Sequence, residues 1–70
     1  MEFVRIAFVY CVGDWVHWYS PAGARYRIRQ QRYVRGEGEE RYEYLLHNPR
    51  TQGYDFWAWE YQLVPSAEHE

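Results

Sequence analysis

The chain has no lysine. All eight of its basic residues are Arg, set against ten acidic residues, for a formal charge of −2. That balance excludes a generally polycationic binder. Ile and Asn are also scarce, so the missing Lys reads as GC-rich coding rather than as selection for planar cations. Cysteine is nearly absent too. The single Cys11 excludes an internal disulfide framework and a Cys-rich zinc site, and points to a reducing, cytoplasmic setting. No apolar run approaches the ~18 residues of a membrane-spanning helix. The opening "MEFVRIAFVYCVGDW" interrupts its apolar stretch with Arg5 and lacks a basic front and a small-residue cleavage site, so no signal peptide is expected.

Long helical periodicity is missing as well. What is present in quantity is aromatic surface: four Trp, eight Tyr and three Phe among 70 residues. A chain this short buries only about 60% of the surface it exposes when unfolded. Aromatic side chains bury roughly 150–250 Å² each, so a few of them can organise a small core. One compact domain over residues 1–65 with a loose polar tail over 66–70 is expected.

The chain reads as short strands divided by turn signals. Phe3 to Val12 is mostly apolar and reads as a first strand covered on both faces. Val12-Gly13-Asp14 is a turn, Trp15 to Tyr19 an extended piece, and Ser20-Pro21-Ala22-Gly23 a second turn. Ala24 to Arg32 alternates, with Tyr26 and Ile28 on one face and Arg25, Arg27 and Arg29 on the other. After the loop "VRGEGEE", Arg41 to Leu46 alternates again, with Tyr42, Tyr44 and Leu46 together. Pairing inside with inside sets Ile28 against Tyr44 and Arg29 against Glu43. "HNPRTQGY" is a further turn. Phe56 to Trp59 forms a short strand with Trp57 and Trp59 on one face. Glu60-Tyr61-Gln62 has no β-branched residue and suits one 3₁₀ turn before a last strand, Leu63-Val64-Pro65. The class is all-β, and at this length a closed five-stranded barrel is favoured because closure removes exposed edges.

Three stretches carry a family resemblance. "VGDWV", "SPAGARYRI" and "FWAWEYQLVP" resemble, in order, the first strand, the following loop and second strand, and the closing strand, 3₁₀ turn and strand of Src-homology-3-like (SH3-like) small barrels, in the broad sense that includes Tudor-like and KOW-like modules. The segment before Val12 departs from that pattern as an extra strand. The resemblance implies a binding module and does not choose its ligand.

Two candidate surfaces follow. Trp18, Tyr19, Trp57 and Trp59, with Asp55 and Glu60 to select basic groups, would form an aromatic groove for a peptide or protein partner. A cage for a methylated amine would need rings such as Tyr19, Trp57 and Trp59 to converge. The alternative is an Arg-rich strand face of Arg25, Arg27, Arg29, Arg32 and Arg35 that tracks nucleic-acid phosphates. A homodimer through edge pairing of Phe3–Tyr10 is a third expectation. His17, His47 and His69 lack metal-site spacing, so no metal or cofactor is expected. Ser20, Ser66 and Thr51 lack a partnered base, Cys11 sits in an apolar run that argues for burial, and Glu37, Glu39 and Glu40 lie in a solvated loop. An enzyme is therefore not expected.

Overall fold

A computed structural model describes residues 6–51 and 53–66. Five strands form one antiparallel sheet: β1 (Trp15–Trp18), β2 (Arg25–Gly36), β3 (Glu39–His47), β4 (Phe56–Trp59) and β5 (Leu63–Pro65), with a 3₁₀ turn at Glu60–Gln62. The spatial order is β4-β3-β2-β1-β5. The chain is all-β, as its composition implies.

The sheet is open, because β4 and β5 share no ladder, and so the closed ring expected from the sequence is not completed. It is nevertheless strongly curled. In a flat sheet the two edges would lie about 19 Å apart, four spacings of roughly 4.8 Å. Only the three-residue 3₁₀ turn joins Trp59 to Leu63, and four residue steps reach at most about 14 Å. The edges must therefore approach each other. The core agrees: Val16, Ile28, Tyr44, Leu46, Ala58 and Leu63, drawn from all five strands, form one buried cluster. Val16, Ile28, Tyr44 and Leu46 are fully buried, and each such side chain stabilises the fold by roughly 1.5–3 kcal/mol.

The β2–β3 register departs from the expected one. Ile28 pairs with Leu46, then Gln30 pairs with Leu45, leaving Arg29 as a β-bulge. Beyond it Arg32, not Arg29, faces Glu43, and Gln31, not Ile28, faces Tyr44. The loop "VRGEGEE" is mostly strand. Gly36 pairs with Glu39, so only Glu37-Gly38 turns the chain, with Gly38 at φ +73°, a conformation glycine adopts without a Cβ penalty. Past β4's reach this hairpin continues as a two-stranded arm.

Residues 6–12 form no strand, and Phe3–Arg5 lie outside the described residues. Phe8 docks edge-on against Tyr42 and Tyr44, with ring centroids 5.3 and 5.9 Å apart, and Tyr10 against Tyr44 at 5.5 Å. The backbone N–H groups here find side chains rather than a ladder: Val9 donates to Glu60 Oε2 and Tyr10 to Tyr44 Oη. Ile6, Val9 and Val12 stay exposed, so this apolar run is not covered on both faces. Edge pairing through Phe3–Tyr10 needs a strand that residues 6–10 do not form. Cys11 is exposed, contrary to the burial expected of it. Of the expected loose tail at 66–70, only Ser66 is described, and its N–H donates to Trp15 O.

Candidate binding surfaces

The best-defined surface is built on the 3₁₀ turn. Gln62 Oε1 accepts the Trp59 N–H at 2.9 Å, and its Nε2 donates to Tyr19 Oη at 2.8 Å. The Tyr19 N–H donates to Gln62 O at 2.7 Å. One Gln therefore holds Tyr19 at its backbone and at its hydroxyl. Tyr19 lies at φ +71°, the left-handed region, which costs a bulky residue about 1–3 kcal/mol and persists only where the surroundings impose it. Its ring packs on Trp18 at 5.0 Å and remains 59% exposed. Tyr61, 72% exposed, meets Trp59 at 5.5 Å. Trp18, Tyr19, Trp59 and Tyr61 are thus the exposed rings tied to this turn. Beside them Glu39, Glu40, Arg41, Tyr42 and Glu60 help line a cavity of about 300 Å³ with Trp59 and Tyr61.

The remaining groove candidates are disposed differently. Trp57 and Trp59 share the convex face, as alternation requires, while Ala58 is buried. The Arg32 guanidinium lies 3.9 Å over Trp57, and Arg41 lies 5.2 Å over Trp59. Both cations flank Glu43, which is almost fully buried: Arg32 Nε lies 2.6 Å and Arg41 Nε 3.8 Å from its carboxylate oxygens. Among the described residues no ring contact joins Trp57 to Trp18, Tyr19 or Trp59. Asp55 is held by Arg29 at 3.4 Å and by His47 at 2.8 Å.

Glu60 accepts the Tyr44 hydroxyl at 2.5 Å as well as the Val9 N–H. Burial, reinforced by that hydrogen bond, pushes the Tyr44 hydroxyl far above the usual phenol range. Burial and the Glu60 charge also raise Tyr10. Tyr33 is raised by its hydrogen bond to Glu40.

The expected Arg stripe is broken. Arg25 and Arg27 stack on Trp15, with Cζ 4.3 and 5.7 Å from the ring centroid. Arg29 sits at the bulge, Arg32 is bound to Glu43, and Arg35 stands opposite Glu40 near the hairpin tip. The sequence reading missed Tyr61 and Gln62 on the aromatic surface. It also missed a cavity of about 370 Å³ lined by Trp15, His17, Arg25, Asn48 and Arg50 among others. Parity alone could have placed Trp15 beside the Arg strand, whereas nothing local marks Gln62 as a brace.

Among the described residues no group of three or more His, Cys, Asp or Glu side chains is placed to hold a metal, and no helix is long and apolar enough to cross a membrane. No family model, no curated protein and no solved structure significantly matches the chain.

Proposed function

We propose that this protein is a non-enzymatic, cytoplasmic interaction module of the SH3-like barrel type, and that it binds a protein segment bearing basic side chains on the rings around its 3₁₀ turn. The strand order, with the 3₁₀ turn between β4 and β5, supports the barrel reading. One observation carries the binding reading. Tyr19 is held in a strained backbone state, with both ends anchored by Gln62, while its ring stays in solvent. A ring that packs on Trp18 yet stays mostly in solvent, on a backbone held in strain, suits recognition. The partner's charge follows from the neighbours: Glu39, Glu40 and Glu60 line the cavity that Trp59 and Tyr61 share. Arg41, which also lines it, already lies over Trp59, so the acids beside Tyr61 are where an incoming cation is received.

Titration with short peptides carrying Arg and an aromatic residue, followed by Trp fluorescence, tests this. Tyr61→Ala should weaken binding at least tenfold and leave the melting temperature unchanged, since that ring is mostly exposed. Binding that ignores Tyr61→Ala, or that prefers acidic peptides, refutes the proposal.

A further inference from the structure

Along the hairpin arm β2 has β3 on one side only. β1 pairs with β2 over Arg25–Arg27, and the turn before β1 takes Ile28: Gly13 N–H donates to Ile28 O at 2.8 Å and Ile28 N–H to Asp14 O at 3.0 Å. From Gln30 to Gly36, β2 pairs with β3, and among the described residues no strand lies on its other side. Both ends of this stretch fix where its backbone groups point. At the root, Ile28 turns its N–H and C=O away from β3. At the tip, Gly36 and Glu39 flank a two-residue turn and so bond to each other. Alternation from either end, with the bulge at Arg29 counted, gives one answer. Gln31, Tyr33 and Arg35 aim their N–H and C=O outward, whereas Arg32 and Val34 bond β3.

A two-stranded ribbon is marginally stable by itself and gains from a further strand. This edge lacks the usual guards against one: Gln30–Gly36 holds no Pro and no Lys. Its Arg32 is drawn across the hairpin to Glu43 and Trp57, and Arg35 stands opposite Glu40. A second copy of the chain fits the edge closely. Tyr33 is the midpoint of Gln30–Gly36, so two antiparallel β2 edges centred on Tyr33 use the whole stretch. Tyr33 then faces the partner's Tyr33, and Gln31 faces the partner's Arg35, each pair exchanging both backbone hydrogen bonds. Arg32 faces the partner's Val34, so no like charges stand opposite one another; centring on Arg32 would set two guanidiniums together. Charge also runs the right way along the edge. The tip is acidic, with Glu37, Glu39 and Glu40 exposed, and the root carries exposed Arg27 and Arg29. Antiparallel pairing lays each acidic tip beside the other basic root, with Glu37 next to the partner's Arg29. A guanidinium has five N–H donors, of which Arg29 gives one to Asp55. On the concave face the Tyr33–Tyr42 ring contact, at 5.2 Å, is repeated across the axis. We propose that this protein forms a symmetric homodimer by edge-to-edge pairing of β2 about Tyr33, joining the two arms in the order β3-β2-β2-β3.

The test is analytical ultracentrifugation of the full chain over a concentration series, with amide hydrogen exchange measured at both ends of it. A dimer is expected. In it the amides of Gln31, Tyr33 and Arg35 should slow, while those of Arg32 and Val34, already bonded to β3, should change little. Gln31→Pro removes an outward donor that β3 does not use, at a position where an edge strand accepts proline. It should abolish the dimer and keep the circular-dichroism spectrum. Glu37→Arg, in an exposed turn, leaves the edge backbone intact and should weaken association about tenfold by setting a cation beside the partner's Arg29. Tyr61→Ala should leave the dimer unchanged, so this proposal and peptide binding at the 3₁₀ turn fail separately. A chain that stays monomeric up to ~1 mM overturns the proposal and leaves the edge to a strand of another protein. So does a dimer in which the Gln31, Tyr33 and Arg35 amides exchange as they do in the monomer. A dimer that both Glu37→Arg and a folded Gln31→Pro variant leave intact overturns it as well.

Discussion

Replacing Tyr44 by Phe removes one oxygen from the centre of the molecule and leaves the packing intact. The ring is fully buried and meets Phe8 and Tyr10 edge-on. The hydroxyl donates to the Glu60 carboxylate and accepts the Tyr10 N–H at 3.2 Å. A hydrogen bond to a charged group is worth about 1.5–3 kcal/mol and a neutral one about 0.5–1.5. Glu60 keeps the Val9 N–H, which moderates the loss, so about 2–3 kcal/mol should disappear. A chain of this length has roughly 4–10 kcal/mol in all, and the melting temperature should fall by about 10–20 °C. Urea unfolding followed by Trp fluorescence measures the loss, and an unchanged slope would certify that the denatured state is not involved. The same hydroxyl governs the alkaline limb. Its pKa is raised in the folded state by burial and by Glu60, whereas an unfolded Tyr titrates near pH ~10. Above that pH the folded state holds more protons than the unfolded one. Stability is therefore complete below about pH 9 and falls by about 1.4 kcal/mol per pH unit above ~10 for this group, until Tyr44 itself ionises. Tyr44→Phe should flatten that limb. A loss below about 0.5 kcal/mol at pH 7, or an alkaline slope that the variant leaves unchanged, refutes the account of Glu60 as an internal anchor.

The convex face gives a second expectation. Among the described residues, Arg32→Ala leaves the nearly buried Glu43 with Arg41 alone, at 3.8 Å, and should cost about 1–2 kcal/mol. Arg32→Lys should recover less than half of that, because an ammonium cannot lie flat on Trp57 and hydrogen-bond Glu43 at once; full recovery in chemical denaturation would contradict the stacking argument. Gly38→Ala, at φ +73°, should cost about 1–2 kcal/mol, whereas Gly36→Ala, which meets no atom within 4 Å, should be nearly neutral. Equal effects of the two in thermal melts would sink the assignment of the turn to Glu37-Gly38.

The C-terminal third was legible almost residue by residue. Phe56 to Trp59 alternates cleanly, 60–62 lacks β-branched residues, and Leu63-Val64-Pro65 restores them; β4, the 3₁₀ turn and β5 fall on those bounds. The Tyr42, Tyr44, Leu46 face was legible for the same reason. The amino-terminal segment was not. Its composition suits a strand, but a strand needs a partner ladder, and here the N–H groups of Val9 and Tyr10 are taken by side chains 51 and 34 residues away. The aromatic site was half legible. Residue type marked Trp18, Tyr19 and Trp59, while the Gln62 brace depends on a contact across 43 residues that no local pattern announces.

The bulge at Arg29 explains why the Arg stripe misled. Side chains alternate with period two, so one extra residue exchanges the faces of everything beyond it. Strict alternation would set Arg25, Arg27, Arg29 and Arg35 together and Arg32 apart. With Ile28 on Leu46 and Gln30 on Leu45, Arg32 joins Arg25 and Arg27 on the convex face and Arg35 leaves it. Arg32 then meets Glu43 and is neutralised. Arg29 turns toward Asp55 and is neutralised as well. Two of the five cations are thereby bound to carboxylates of β3 and the segment before β4. Arg25, at the start of β2, lines a cavity with Arg50 from a turn more than twenty residues away. A one-residue irregularity thus scatters over two faces a set of cations that strict alternation would have kept largely together.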